Sequence, residues 1–322
     1  MTQADKMAPP PTSDPLALTP TSNPYLDFYN EYCKTSRKDL FAVFDPSISE
    51  KKRTKMYKAL DVSVAMKYSW AIPDERALRI IKHYGPIVEM GAGTGYWGRL
   101  LELRGVDIVC YDLHVADDDE EDGEENAGDQ MEQIFWTNVL KGTPKDLRKH
   151  PDRTLFLCYP DDFEDSSESM ALECLHNYSG EYVIHVGEMF GQTLCLPGPW
   201  GRTSSSEFQT HLASVYHKVL QVPLPSWHSS IDALTVWKRT KTSIMDNCFY
   251  AFIPEDERLE LTAACASTRH LLEDSKSSNA SSAGTKRSTP TEAASTTASN
   301  NNNDDDSRSS KKAKKRRRQQ SS

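Results

Sequence analysis

The chain has 322 residues, a net charge of −9 at neutral pH and 37% hydrophobic residues, which suits one large domain or two small ones. It contains no run of eighteen apolar residues, so we expect no membrane span. The seven cysteines form no CxxC pair, and we therefore expect neither a disulfide framework nor a metal site.

Composition divides the chain into three parts. Residues 1–22 are rich in proline, serine and threonine, and we predict that this leader is disordered. Residues 23–272 have an ordinary globular composition and form the expected domain. Residues 273–322 contain no large apolar side chain, so burial cannot offset the entropy of ordering them. They are predicted to form a disordered tail.

The first predicted elements are helices. The aromatic residues in 25–32 have the spacing of one helix face, and residues 50–68 continue with a helical pattern. A further helix begins after Pro73, where acids occupy the first turn, and it ends at Gly85. We expect these helices to form an N-terminal extension to the domain.

Strands and helices then alternate. The predicted strands are residues 87–90, 106–111, 134–136, 154–159, 182–187, 218–222 and 233–238. The connection between the last two is too short for a crossover helix, so these strands must pair antiparallel. An acidic insertion at 115–132 is predicted to be a surface loop. The pattern predicts a doubly wound α/β fold, with a mostly parallel sheet of about seven strands and an antiparallel last strand.

A glycine-rich turn follows the first predicted strand, in the stretch VEMGAGTGYWG of residues 88–98. Glycine adopts positive φ and lets a ligand approach the backbone, and the helix N-terminus after the turn offers N–H groups to an anion. One pattern that matches is the dinucleotide fingerprint, with Gly93, Gly95 and Gly98 as its glycines and Asp112 as the ribose acceptor.

A second pattern fits the register of the turn better. The predicted strand ends at Met90, so Gly91 is the first glycine of the turn, and the third glycine of the dinucleotide pattern would then fall on Tyr96. In this register the stretch closely resembles the first motif of the class I S-adenosylmethionine-dependent methyltransferases. The motif residues are Glu89, Gly91, Gly93 and Gly95.

This resemblance extends over about residues 70–239 and is strongest over residues 87–112. It implies S-adenosylmethionine as the cofactor, with Glu89 and the three motif glycines near its methionine and ribose parts. It also implies that Asp112 accepts hydrogen bonds from the ribose hydroxyls. The alternative role of Asp112 is that of a turn or helix-capping residue. Asn138 or Trp136 is the candidate for the adenine contact.

Methyl transfer needs a positioned, desolvated nucleophile and sometimes a base. In amino-methylating members of the resembled family, a motif of Asn or Asp, Pro-Pro and an aromatic residue follows the fourth strand and holds the target nitrogen. Here the sequence LCYPDD stands in that place, and Cys158 replaces the amide or carboxylate. The resemblance makes Tyr159 and Asp161 catalytic candidates, and Asp162 an alternative base. The other interpretation of the two acids is that they open an exposed acidic loop.

Glu188 directly follows the fifth predicted strand, at the edge of the sheet where substrates bind in such folds. It is therefore the third catalytic candidate, and His185 within the strand is interpreted as a core residue. Tyr68 and Trp70 either pack or contact the ligand through cation–π interactions.

The expected function is that of an S-adenosylmethionine-dependent methyltransferase-like protein with an unidentified methyl acceptor. The altered motif at Cys158 keeps open the alternative of a non-catalytic binding or scaffold protein of the same fold. A nicotinamide-dependent oxidoreductase is less favoured, because of the register of the glycine turn and because too little chain remains for a substrate domain.

The tail has the opposite charge to the rest of the chain. From Ser275 onward it holds eleven basic residues against four acidic ones, which leaves about −16 on the remainder. An acidic body argues against nucleic-acid binding except through the tail. The basic cluster at residues 311–318 predicts a nuclear localisation signal, a nuclear or nucleo-cytoplasmic location and an import receptor as partner. The alternative is a solvated charge run without a receptor.

Overall fold

The computed structural model describes residues 18–43, 45–57, 63–115, 135–161 and 168–273. Most of the predicted leader, nearly all of the acidic insertion, Asp162 and the basic tail lie outside these residues. The chain divides into two compact units, Met1–Leu261 and Thr262–Ser322. In the described ranges no helix combines the length and the apolar character that crossing a membrane requires.

The chain begins with the predicted helical extension. Its helices are α1 (Pro24–Ala42), α2 (Glu50–Tyr57) and α3 (Ser63–Lys67). The side chain of Asn23 accepts the Leu26 N–H at 3.2 Å and so caps α1. The Asn23 amide also donates to the Pro73 carbonyl at 2.8 Å, which fixes the start of α1 to the segment before the next helix.

Strands and helices alternate after the extension. In chain order the elements are α4 (Glu75–His83), β1 (Ile87–Met90), α5 (Tyr96–Leu103), β2 (Ile108–Asp112), β3 (Val139–Lys141), β4 (Thr154–Cys158), α6 (Met170–Asn177), β5 (Tyr182–Gly187), α7 (Ser206–Val215), β6 (Tyr216–Pro223) and β7 (Ala233–Arg239). A short 3₁₀ helix, Pro144–Lys149, lies between β3 and β4. Helix α4 begins shortly after Pro73 as predicted, and Asp74 caps it by accepting the Ala77 N–H at 2.7 Å.

The seven strands form one sheet in the order β3-β2-β1-β4-β5-β7-β6. Strands β1 to β5 are parallel to one another, and β7 runs antiparallel to both β5 and β6. The predicted fold class is therefore confirmed, including the antiparallel pairing of the last two strands. A chain of nine residues between β6 and β7 allows only this pairing.

The sheet separates two hydrophobic cores. The front core lies under α1, α3, α4 and α5 and includes Tyr25, Leu78, Leu100 and Phe156. The rear core lies under α6, α7 and the 3₁₀ helix and includes Met90, Leu155, Leu175 and Phe208. In β1, β4 and β5, alternate residues enter opposite cores, as the pleat requires.

The third predicted strand is wrong. Residues 134–136 were expected to pair, whereas β3 is Val139–Lys141. Trp136 is buried in the front core instead, where its ring stacks on Tyr68 at 5.3 Å and its Nε1 donates to the Lys67 carbonyl at 2.8 Å. An apolar run of three residues fits a packed loop as well as a strand, and the contacts of the indole decide between them.

A two-stranded hairpin that the sequence pattern did not predict follows the sheet. It consists of β8 (Lys241–Met245) and β9 (Cys248–Phe252), joined by Asp246 and Asn247. These two residues have φ of 51° and 62°, the left-handed backbone of a two-residue hairpin turn. Both strands are exposed along their whole length.

Candidate functional site

The predicted site residues meet at one edge of the sheet, with one exception. The glycine turn follows β1, Asp112 ends β2, Tyr159 follows β4 and Glu188 follows β5. Because these four strands are parallel, their carboxyl ends lie side by side. This is the edge at which doubly wound folds bind ligands.

The three motif glycines share one backbone conformation but have different surroundings. All three have positive φ: 77° at Gly91, 55° at Gly93 and 72° at Gly95. A Cβ on Gly91 would lie 2.8 Å from the Met170 Cε, and one on Gly95 would lie 2.8 Å from a methyl group of Val139. A Cβ on Gly93 would meet no atom within 4 Å. The turn therefore packs at Gly91 and Gly95 and presents open backbone at Gly93.

Asp112 holds this turn from the neighbouring strand. Its Oδ2 accepts the Gly93 N–H at 2.8 Å, and its Oδ1 accepts the His114 N–H at 2.9 Å. The second contact is the turn interaction foreseen as the alternative role of this residue. A carboxylate has about four lone-pair sites, so each oxygen keeps capacity for one further donor. Structural and ligand-binding roles are therefore compatible at Asp112.

Glu89 lies beneath the turn and not at its surface. Its side chain is 1% exposed, and the Cys110 thiol donates to its Oε2 at 3.4 Å. A Cβ on Gly98 would approach the same oxygen to 3.4 Å, so the carboxyl group lies under α5. Burial raises the pKa of Glu89 to about 8, which leaves the group mainly protonated at neutral pH.

Asn138 is the exception to the shared edge. It precedes β3, and the register of β2 with β3 pairs Val139 with Cys110 and Lys141 with Asp112. Asn138 therefore lies toward the amino end of the sheet, away from the carboxyl group of Asp112. This placement disfavours Asn138 as the adenine contact, which stays a prediction. The residues beside Asp112 are Lys141, at the end of β3, and Gly142, which follows it.

Tyr159 has an unusual backbone. Its φ is 51°, a left-handed conformation that bulky side chains rarely adopt, and its N–H donates to the Val186 carbonyl at 3.0 Å. Strand alternation would send residue 159 to the rear core, because Leu157 is there and Cys158 is at the front. The turned backbone places Tyr159 against the front core beside Cys158.

Asp161 is buried, contrary to the expectation of an exposed acidic loop. Its carboxylate accepts hydrogen bonds from the Ser169 hydroxyl at 2.8 Å, the Ala171 N–H at 3.0 Å and the Ser205 N–H at 2.8 Å. These donors belong to the N-terminal ends of α6 and α7. The contacts favour a structural role for Asp161 over proton abstraction.

Glu188 is also buried and engaged. Its carboxylate accepts from the Thr193 hydroxyl at 3.0 Å, the Arg202 N–H at 2.9 Å and the Ile231 N–H at 3.4 Å. A Cβ on Gly201 would lie 2.6 Å from its side chain, so the loop closes tightly around it. Glu188 therefore joins the loop after β5 to the loop before β7.

Asp232 is the site residue that sequence reasoning missed. It directly precedes β7 and is 1% exposed. The Tyr159 hydroxyl donates to its Oδ1 at 2.6 Å and the Ser230 hydroxyl to its Oδ2 at 3.1 Å. Burial raises the pKa of Asp232 to about 6, and these hydrogen bonds oppose the rise. The sequence does contain a signal for this residue. Asp232 immediately precedes the last buried strand, and an antiparallel strand at that position starts at the carboxyl edge of the sheet.

The other candidates have packing roles or are partly exposed. Tyr68 stacks on Tyr25 at 4.9 Å in the front core, whereas Trp70 is 52% exposed. His185 is in the rear core as interpreted, although neither ring nitrogen has a hydrogen-bond partner among the described residues. Burial lowers the pKa of His185 to about 3 and keeps it neutral. Cys158 is a thiol, because burial raises its pKa well above the ordinary value.

A cavity and the arrangement of potential metal ligands complete the description of the site and its surroundings. A cavity of about 390 Å³ opens at the opposite, amino edge of the sheet, lined by Tyr84, Arg153 and Tyr182 among others. Within the described part of the chain, no three His, Cys, Asp or Glu side chains are grouped so as to hold a metal ion.

The strand order with its one reversed strand, the glycine turn after β1 and the acid at the end of β2 define a Rossmann-like fold of the class I methyltransferase type. No protein-family model matches the chain, and no curated protein is similar to it in sequence. Among solved structures, the chain is similar to a mutant of MtNAS in complex with S-adenosylmethionine, at 11% identity and a TM-score of 0.32, covering 67% of this chain and 77% of that one.

Two others are named as methyltransferases. An S-adenosylmethionine-dependent methyltransferase from Aquifex aeolicus is 16% identical, with a TM-score of 0.31 over 57% of this chain and 97% of that chain. Magnesium protoporphyrin IX methyltransferase from Synechocystis PCC 6803, with bound S-adenosylmethionine, is 10% identical, with a TM-score of 0.31 over 69% and 98% of the two chains.

Proposed function

We propose that this protein binds S-adenosylmethionine at the carboxyl edge of its sheet and transfers the methyl group to an acceptor that is still unidentified. The observation that carries the proposal is the open backbone at Gly93, at φ 55°, held by the carboxylate of Asp112. Gly105 also has positive φ with no atom within 4 Å of an added Cβ, so open space alone does not mark a ligand site. Gly93 differs in its position, because it lies between β1 and α5 at the carboxyl edge of the sheet and is held by Asp112.

The residues around the turn fit the parts of the ligand. Asp112 keeps acceptor capacity that suits the two ribose hydroxyls. Gly95 is the N-cap residue of α5 and has no side chain to cap the helix, so the first N–H groups of α5 suit the carboxylate of the methionine part. S-adenosylmethionine would supply a methyl group activated by the sulfonium. The chain's residues supply its binding, its orientation and the surroundings of the acceptor.

Two matched glycine variants test the binding site. Gly93→Ala and Gly105→Ala both introduce a Cβ at positive φ where no atom lies within 4 Å, and Gly105 follows α5 at its far end. Both variants should lose similar stability, of about 1 kcal/mol. Only Gly93→Ala should weaken S-adenosylhomocysteine binding, by at least about tenfold. Isothermal calorimetry measures the affinity; equal affinities in the two variants would contradict the placement of the ligand.

A non-catalytic binding protein of the same fold is the second candidate function. The engaged carboxylates of Asp161 and Glu188, and the protonated Cys158, favour it because none of them is available as a simple base. Methyl transfer from labelled S-adenosylmethionine into an extract of the source organism distinguishes the two candidates. Label in a discrete product supports the enzyme, and none, from protein that binds the ligand, supports the binding protein.

We also infer that the basic cluster at residues 311–318 directs the protein to the nucleus through an import receptor. The support is the sequence, with its Lys/Arg run in a segment without large apolar residues. The cluster lies outside the described residues. Any contact with nucleic acid is assigned to the same tail.

A further inference from the structure

Two side chains at the carboxyl edge form a pair that the ligand cradle does not use. The Tyr159 hydroxyl donates to Asp232 at 2.6 Å, and the two residues come from the end of β4 and the start of β7. They are 73 positions apart in the chain, so the fold and not local sequence brings them together. Tyr159 is half-buried, whereas Asp232 is almost fully buried. Tyr159 is therefore the more accessible residue of the pair.

The backbone is arranged to create this pair. A left-handed tyrosine is strained, and such strain persists where the surroundings impose it, which is most often at functional sites. The hydrogen bond from the Tyr159 N–H to the Val186 carbonyl holds the turned conformation. With ordinary strand geometry, the ring would point to the rear core and could not reach Asp232.

Asp232 is itself fixed from several sides. Its N–H donates to the Ser226 hydroxyl at 2.8 Å, and the Ser230 hydroxyl donates to its Oδ2. The ionisable groups that act on it electrostatically are Tyr159 and Cys158 from the end of β4, Glu188 from the end of β5 and Tyr25 from α1. Among them Glu188 raises the pKa of Asp232, whereas the hydrogen bond from Tyr159 lowers it.

We propose that Tyr159 and Asp232 are the proton-accepting pair of the methyl transfer, with Tyr159 in contact with the acceptor and Asp232 as its positioning residue. The inference rests on the proposed function. The acceptor class is a neutral hydroxyl or amine that carries a proton to be lost.

Methyl transfer and proton transfer take place in one step. The acceptor's lone pair forms the new bond to the methyl carbon, and the carbon–sulfur bond breaks with its electron pair left on sulfur. The acceptor's proton passes to the Tyr159 oxygen while the phenol proton passes to the Asp232 carboxylate. One positive charge on the sulfonium and one negative charge on Asp232 are removed together. Asp232 then returns its proton to solvent, and Tyr159 is unchanged. A tyrosine alone cannot accept this proton at neutral pH, because the neutral phenol is a very weak base and the phenolate forms only near pH 10.

The first test observes the pair without any acceptor. In protein labelled with ¹³C at the aspartate carboxyl groups, the Asp232 signal, assigned by its loss in Asp232→Asn, should titrate near pH 6. Tyr159→Phe should shift this midpoint upward, because the ionised carboxylate loses a donor. The control is Tyr29→Phe, which removes a hydroxyl that donates to the Ser226 carbonyl in the same loop, and it should leave the midpoint unchanged. If the Asp232 signal titrated near pH 4, and with the same midpoint in Tyr159→Phe, the proposed pairing of the two side chains would be wrong.

The second test measures turnover of labelled S-adenosylmethionine with the cell extract as acceptor pool. Wild-type transfer should rise with pH through about 6 and then level off, since the ionised carboxylate is the active form. Tyr159→Phe and Asp232→Asn should each lower the rate at least about tenfold and lose this rise, with S-adenosylhomocysteine affinity within about twofold of wild type. Tyr29→Phe should keep both the rate and the profile.

The outcomes separate the inference from the proposed function. Unchanged rates and pH profiles in Tyr159→Phe and Asp232→Asn would refute the proton-accepting role while leaving the methyltransferase intact. A wild type that binds S-adenosylhomocysteine but labels no product would contradict the transfer itself, and the role of the pair with it. A wild type that does not bind would refute the ligand site.

Discussion

Four acidic side chains at or below the carboxyl edge have different roles because their surroundings differ. Glu89 accepts from a thiol and Asp232 from hydroxyl groups, and their pKa values rise to about 8 and about 6. Asp161 and Glu188 are also buried, but each accepts two backbone N–H groups besides a hydroxyl. The sequence shows only acids after strands, so it predicts their place at the edge. It cannot show which donors from distant loops reach them, and Asp232 was missed for this reason.

Glu89→Gln tests the protonated state of the buried carboxyl group. The folded protein holds this proton more tightly than the unfolded chain, where the pKa is near 4.5. The linked stabilisation is complete below that pH and is lost as the pH rises toward 8. As the pH rises between these two values, the free energy of unfolding of the wild type should fall relative to that of Glu89→Gln, by up to about 1.4 kcal/mol per pH unit. Urea unfolding at several pH values measures the difference, and parallel curves would contradict the raised pKa.

At the scale of elements, strands with long apolar runs are the ones the sequence locates best. The bounds of β1 and β5 are those predicted, because each is buried on both faces over its whole length or nearly so. The third strand was misplaced because β3 has only three residues and two of them are exposed. The hairpin of β8 and β9 was missed because exposure on both faces leaves no burial pattern to read.

The junction of α6 and α7 makes a prediction at this scale. Asp161→Ala should lower the free energy of unfolding by about 2–4 kcal/mol, since it leaves buried donors at the starts of both helices unpaired. Asp74→Ala is the comparison, because it removes a single cap from α4 and should cost about 1 kcal/mol. Chemical denaturation measures both. If Asp161→Ala cost no more than Asp74→Ala, the structural role assigned to Asp161 would be wrong.

At the scale of the whole molecule, charge and fold are divided between different parts of the chain. The seven-stranded sheet and its two cores belong to Met1–Leu261, whereas the net positive charge belongs to the tail. Composition alone predicts this division, because a segment without large apolar residues cannot add to a core. The proposed nuclear location depends on the basic cluster of the tail and not on the fold.

Deleting the chain from Ser275 onward tests that division. The melting temperature should change little, because the segment has no large apolar side chains to bury. A fluorescent fusion of the shortened protein should no longer accumulate in the nucleus. Replacing the Lys/Arg residues of 311–318 with serine in the full chain should have the same effect. Nuclear accumulation of both altered proteins would refute the proposed nuclear localisation signal. A large fall in melting temperature on deletion would show that the tail stabilises the domain.

The central claim is that the cradle of Gly93 and Asp112 binds S-adenosylmethionine, and one calorimetric titration tests it most directly. The intact protein is titrated in turn with S-adenosylhomocysteine and with NAD. We predict one site for S-adenosylhomocysteine with a dissociation constant in the micromolar range, about −8 kcal/mol of binding free energy, and no measurable heat with NAD. Tight binding of NAD without any response to S-adenosylhomocysteine would contradict the account.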